Sequence, residues 1–518
     1  MNGAQSLIRT LINCGVNVCF TNPGTSEMHF VAALDDVPDM RAVLGLFEGV
    51  VTGAADGYAR MSGRPAATLL HLGPGLGNGL ANLHNARKGK VPIVNIIGDH
   101  ATYHRQYDSQ LQSDIETVAR NVSSWVRTSR RTADVASDAA DAVTAAAGPP
   151  GQVATLILPA DVSWLDGGEP VGPRPTTVPS VASQTTLDRA VEVLRSGEPT
   201  ALLLGGTTLG ATGLVAAAKI ASATGAKLLA ETFPTRIERG AGLPAIERIA
   251  YLAEMATVQL QGLKHLIIVD SKAPVSFFAY PDKASYLVPD DCLVHVLADP
   301  SQDAVGSLEA LTEALGAEAA EVELTSLAPP ELPTGELTVE SAAKVIGALL
   351  PEGAIVSDEA NTSGLLLPMH TAASPRHSWL CLTGGSIGQG LPVAVGAAVA
   401  CPDRPVVALE ADGSSLYTIQ ALWTAAREKL DLTAVVFNNR SYAILNMELS
   451  RVGAQVGGPE AKRLLDLSDP DLDFVAISTG LGVPAVRATT AEEFADALAT
   501  ALAEPGPHLI EAMVPSLF

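Results

Sequence analysis

What most constrains this chain is a rhythm, sustained through three long segments, of short apolar runs followed by longer alanine-rich amphipathic stretches. Parallel strands need long crossover connections, most often helices, so this alternation predicts parallel α/β sheets. In the first segment residues 16–20, 67–70, 91–97 and 153–158 read as strands. In the second, a helix over 186–195 precedes strands at 201–204, 265–270 and 293–297. The third opens with a helix capped by Thr338 or Ser341 and continues through strands at 354–357, 406–409 and 433–437. Proline-rich stretches at 165–184 and 328–333 have little periodicity and read as linkers. The expected fold class is α/β, with three doubly wound parallel-sheet domains over residues 1–164, 185–326 and 335–518. A length of 518 residues agrees, since one core rarely organises so much chain.

A well-buried globular protein follows from 47% hydrophobic and only 17% charged residues. A formal charge of −23 argues against nucleic acid or an anionic membrane as the main partner. The five cysteines form no CxxC pair, which suits free thiols in a reducing cytoplasm. Residues 1–5 lack the basic start of a secretory signal, and the apolar runs are too short to span a bilayer. A soluble cytoplasmic protein is expected.

The run Val406-Val407-Ala408-Leu409-Glu410-Ala411-Asp412-Gly413-Ser414 is a buried strand ending in an acid, a glycine and a hydroxyl. Twenty-four residues separate Gly413 from Asn438-Asn439, which follow another apolar strand. With 416–429 read as one helix between them, two neighbouring strands deliver Asp412 and Asn439 to one place. Both offer the hard oxygens that Mg²⁺ requires, and diphosphate oxygens would complete its octahedron. Gly413 and the helix start after it suit phosphate. The other reading makes Asp412 a helix cap and Asn439 a turn residue. For either signal alone that reading is the better one; the pair at this spacing favours a metal–diphosphate site.

These residues resemble the thiamine diphosphate enzymes, whose motif begins Gly-Asp-Gly and closes with Asn-Asn; Ala411 stands in for the first glycine. The resemblance covers essentially the whole chain. It implies that Asp412, Asn439 and the Ser441 carbonyl hold Mg²⁺ and that Gly413 and Ser414 meet phosphate, with Asn361 and Thr362 nearby. In the run Thr383-Gly384-Gly385-Ser386-Ile387 it makes the Gly385 carbonyl the acceptor for the pyrimidine amino group and Ile387 the wedge that bends the cofactor. Glu48, ahead of the small-residue stretch Gly53-Ala54-Ala55, becomes the activating acid, whose carboxyl favours the imino tautomer that can take the C2 proton. Glu48 could otherwise be an exposed first-turn acid placed there by the helix dipole.

Within the superfamily the chain looks most like acetolactate synthase large subunits. Its substrate-side motifs, Asn22-Pro23-Gly24-Thr25-Ser26-Glu27 and His71-Leu72-Gly73-Pro74-Gly75, look more like benzoylformate decarboxylase. That likeness implies that Thr25 and His71 face the substrate. The second pocket histidine of that decarboxylase has no clear match; 273–280 offers aromatic and small residues instead. His100 and His104 are further candidates, with surface histidines as the alternative, and His84 reads as structural. Acetolactate synthases bind FAD in their middle domain, and Leu204-Gly205-Gly206 ends a strand as a nucleotide site would, which makes FAD a further candidate cofactor.

The leading expectation is therefore Mg²⁺-dependent decarboxylation of a 2-oxo acid with carboligation. The alternatives are simple non-oxidative decarboxylation and an inactive regulatory paralogue. By resemblance the enzyme is a homodimer or homotetramer, with Glu48 and the Asp412 motif contributed by different subunits.

Overall fold

The computed structural model describes residues 1–454 and 457–517. Three sheets organise the chain, and each is doubly wound, with apolar residues buried on both faces. The first runs Arg41–Leu44, Val18–Asn22, Ala66–His71, Ile93–Asp99, Val153–Pro159, Trp125–Thr128, all parallel. The second runs Glu247–Arg248, Lys227–Ala230, Thr200–Leu204, His265–Val269, Leu293–Ala298, again all parallel. The third runs Ala485–Ala488, His508–Met513, Leu432–Asn438, Val406–Ala411, Ile355–Glu359, His377–Cys381, Ile237–Arg239.

Six of the third sheet's strands are parallel; Ile237–Arg239 comes from the middle segment and pairs antiparallel with His377–Cys381 at the edge. Three residues carry too little periodicity to announce a strand, and nothing local says which sheet they join. The expected strands are present with ends shifted by one or two residues, and Thr338 caps Val339–Leu349 in a capping box with Ser341. The single helix expected over 416–429 is not formed. One turn, Asp412–Ser415, is followed by a break and then by Ala421–Glu428. At the break Thr418 gives its hydroxyl hydrogen to the Gly388 carbonyl at 3.0 Å, a tertiary bond that competes with continued helix.

Helices Glu48–Ser62 and Gly390–Ala400 pack face to face and join the first and third layers in one apolar core. Side chains at Gly57 and Gly396 would each strike the other helix's backbone, so the small residues after Glu48 permit a close helix crossing. Among the described residues no helix is long and apolar enough to cross a membrane.

Each sheet has one place where successive connections leave in opposite directions, and ligands of open α/β sheets bind in the crevice at that switch point. In the first sheet it lies between Val18–Asn22 and Ala66–His71, in the second between Thr200–Leu204 and His265–Val269. In the third it lies between Ile355–Glu359 and Val406–Ala411.

Candidate active site

The third switch point gathers the residues expected to hold diphosphate and metal. Asp412 is 1% exposed, and its two carboxylate oxygens accept from the backbone N–H of Gly413 at 2.8 Å and of Asn439 at 3.1 Å. The Asn439 side-chain oxygen accepts from the Ser441 N–H at 2.9 Å, and its amide nitrogen lies 3.5 Å from the Ser363 hydroxyl in the turn Asn361–Gly364. The Ser414 hydroxyl donates to the Ala411 carbonyl. Thus three neighbouring strand ends bring Asp412, Gly413, Ser414, Asn439, Ser441 and the Asn361–Thr362 turn to one crevice. Burial pushes the Asp412 carboxyl up, and backbone N–H bonds pull against that. No cation pairs with it among the described residues. A buried carboxylate without a counter-charge is costly, so this set of oxygen donors fits a divalent cation.

Beside it, the loop 383–390 turns through Gly385 at φ +74 and Gly388 at φ +92. The Phe277 ring covers the Cα of Gly385, where any Cβ would collide with it. Phe277 packs in turn on Tyr251 and Phe278, with ring centroids 5.3 and 4.9 Å apart, so the 273–280 stretch supplies an aromatic wall next to the expected pyrimidine holder. Ile387 is half-buried in this loop. Below it Glu359 and Glu410 stand side by side in register on adjacent strands, 2% and 1% exposed. Glu359 accepts three backbone N–H bonds, from Gly388, Gln389 and Gly390. Burial raises both carboxyls; the three bonds oppose this at Glu359, while Glu410, with one oxygen unpartnered and Glu359 beside it, is pushed up further.

At the first switch point, residues from two strand ends meet. The Glu27 carboxylate, 2% exposed, receives the His71 Nδ1 at 2.8 Å and the Gly24 N–H at 2.8 Å. With the Glu27 carboxylate as acceptor the hydrogen sits on Nδ1, and the hydrogen bond leaves Nε2 unengaged by Glu27. A side chain at Gly24 would strike the imidazole, which explains a glycine two residues past the strand. Thr25, exposed, begins the turn Thr25–Glu27. His71 lies in register with Gly98, and His100 follows two residues later with Nε2 3.2 Å from the Ser109 hydroxyl. His104 stacks near His100, ring centroids 5.3 Å apart. Glu48 starts its helix, 8% exposed rather than at the surface, and its carboxylate accepts from Asn78 Nδ2 at 3.0 Å. His84 reaches the Gly384 carbonyl, a contact that ties the first layer to the loop 383–390. Among the described residues Glu48 and His71 form their side-chain hydrogen bonds within the first layer, not with Asp412 or Asn439. Glu27, Glu359 and Glu410 were not singled out by sequence; Glu27, at the third position of the turn that Gly24 precedes, is the one a capping pattern could have flagged.

The second switch point is built differently. The Gly206 N–H donates to Glu231 at 3.1 Å, and the Thr207 N–H and hydroxyl donate to Asp270 at 3.0 and 3.1 Å. Lys90, from the first layer, pairs with Asp270 at 3.1 Å. Burial lifts the Glu231 carboxyl to about 7.

Two family models match the chain: the N-terminal thiamine pyrophosphate-binding domain of thiamine pyrophosphate enzymes over residues 1–120, and the C-terminal one over 363–512. The chain is 60% identical, over 100% of both proteins, to a protein of Mycobacterium tuberculosis named "Putative acetolactate synthase large subunit IlvX". It is 32% identical to a benzoylformate decarboxylase of Pseudomonas aeruginosa, covering 96% of each. Among solved structures, a thiamine diphosphate-dependent 4-hydroxybenzoylformate decarboxylase of Rhodococcus jostii superposes with a TM-score of 0.88 over 99% of both chains, at 24% identity, which bears on the fold alone.

Proposed function

The chain belongs to the thiamine pyrophosphate enzymes, and from that premise we propose that it decarboxylates a 2-oxo acid, with thiamine diphosphate and Mg²⁺ held at the third switch point. Asp412, Asn439 and the Ser441 carbonyl are the metal ligands in this reading, Gly413, Ser414, Asn361 and Thr362 the diphosphate contacts, and Gly385 and Ile387 the pyrimidine holders. Bound there, the cofactor supplies the carbanion chemistry that stores the electrons left when carbon dioxide departs. Glu48 holds a proton at the pyrimidine ring, and its placement at a buried helix start opposes an idle paralogue. By the family resemblance it does so across a homodimer or homotetramer interface.

The observation that carries the reaction type is the Glu27–His71 pair at the first switch point. A buried carboxylate that accepts from Nδ1–H leaves Nε2 free to take up a proton and then give it to the product carbon, with Thr25 beside it for the substrate carboxylate. Carboligation, in which that carbon joins a second carbonyl compound, is the second reading, favoured by the 60% identity to the protein named as an acetolactate synthase subunit. FAD is not part of the proposal. At the Gly205-Gly206 turn the N–H groups of Gly206 and Thr207, which a dinucleotide phosphate would use, are already taken by Glu231 and Asp270.

The test supplies Mg²⁺ and thiamine diphosphate with pyruvate or benzoylformate, with and without an acceptor aldehyde. Carbon dioxide and free aldehyde in equal amounts are expected. A hydroxyketone as the main product selects carboligation, and no carbon dioxide from any 2-oxo acid rejects both readings.

A further inference from the structure

Glu359 does more than a helix cap requires. One short polar side chain suffices to cap a helix. Here a fully buried glutamate accepts three consecutive N–H groups, from Gly388 at 2.5 Å, Gln389 at 2.7 Å and Gly390 at 2.5 Å. It does so beside a second buried glutamate, Glu410, and burying two carboxyls together is expensive. The arrangement also dictates sequence, because any side chain at Gly390 would collide with the Glu410 carboxyl.

The three captured peptides follow directly on Gly385 and Ile387. Glu359 itself ends the strand that leads into Asn361 and Thr362, and its register partner Glu410 stands two residues before Asp412. A single carboxylate therefore ties the loop that faces one end of the cofactor to the strand ends that face the other. Both of its oxygens are in use, so the loop can neither slide nor rotate without breaking a short, charge-assisted bond.

We propose that Glu359 is a positioning residue that sets the separation of Gly385 and Ile387 from Asp412, and through it the bend imposed on the bound cofactor. This rests on the cofactor reading above. A displacement of about 1 Å at a reacting centre can cost on the order of 100-fold in rate.

The test compares the full-length wild-type protein with Glu359→Gln, which keeps the size but opposes an amide NH₂ to backbone donors. For Glu359→Gln, kcat should fall on the order of 100-fold while KM for the 2-oxo acid stays within about threefold and the thiamine diphosphate Kd, measured by calorimetry with Mg²⁺, rises less than about tenfold. Hydrogen exchange of peptides spanning 384–391 should quicken with or without cofactor. Unchanged kcat, unchanged exchange, or a rate loss restored by saturating cofactor would overturn the proposal. Should Glu359→Gln not fold, Glu359→Asp decides: the charge withdrawn by one methylene should lower kcat about tenfold without moving Tm by more than a few degrees, and an unchanged kcat is contrary. Absence of cofactor binding by the wild type would instead reject the reading beneath it.

Discussion

The second and third sheets both end strands at a switch point in a turn of small and hydroxyl residues, Gly205-Gly206-Thr207 in one and Asp412-Gly413-Ser414 in the other. Their sequences invite the same phosphate-binding reading, yet they are opposites. In the second sheet, carboxylates from two neighbouring strands fill the turn and Lys90 seals it from the first layer. In the third, the Asp412 carboxylate belongs to the turn itself and pairs with no cation among the described residues. Where neighbouring strands send acids into a glycine turn, the turn is a structural tie. Where the acid is buried without a counter-charge beside amide and carbonyl oxygens, it suits the metal proposed for that turn.

The largest effect should come from breaking the third turn. Asp412→Ala should weaken Mg²⁺-dependent binding of thiamine diphosphate by at least about 100-fold, read by calorimetry, since even groups that only support a metal ligand are worth 10–100-fold. Next, the second turn should betray its filling through pH. The Glu231 carboxyl is raised to about 7 by burial. The fold therefore prefers the neutral acid, and stability is greatest below the unfolded value near 4.5. It should decline as pH rises towards 7 and level off above. Glu231→Gln should flatten that decline, by about 2 kcal/mol between pH 5 and 8 in denaturant titrations. Equal slopes in the two proteins would place the charge elsewhere. The smallest effect is expected at the first switch point. Glu27→Gln keeps a hydrogen-bond acceptor for His71 but loses its charge, and should lower kcat/KM about tenfold while leaving cofactor affinity unchanged.

Much of this was legible in the sequence because strand periodicity and motif spacing are local. The 24-residue interval between Gly413 and Asn438 has room for one crossover between neighbouring strands, and the strands at 406–411 and 432–438 do pair in register. What escaped depends on partners far along the chain. The helix break at 416–420 follows from Thr418 meeting Gly388, and the strand Ile237–Arg239 is defined only by the third sheet's edge. Glu27 and Glu359 look like ordinary acids in a string of letters. Their roles appear once folding shows which N–H groups and which imidazole they face.

The most direct test of the account is a calorimetric titration of the whole protein with thiamine diphosphate in the presence and absence of Mg²⁺, with FAD titrated in parallel. Saturable thiamine diphosphate binding at one site per chain that requires Mg²⁺ is expected, with no heat from FAD. Binding of FAD, or failure of thiamine diphosphate to bind with Mg²⁺ present, would contradict the distinction drawn between the two turns.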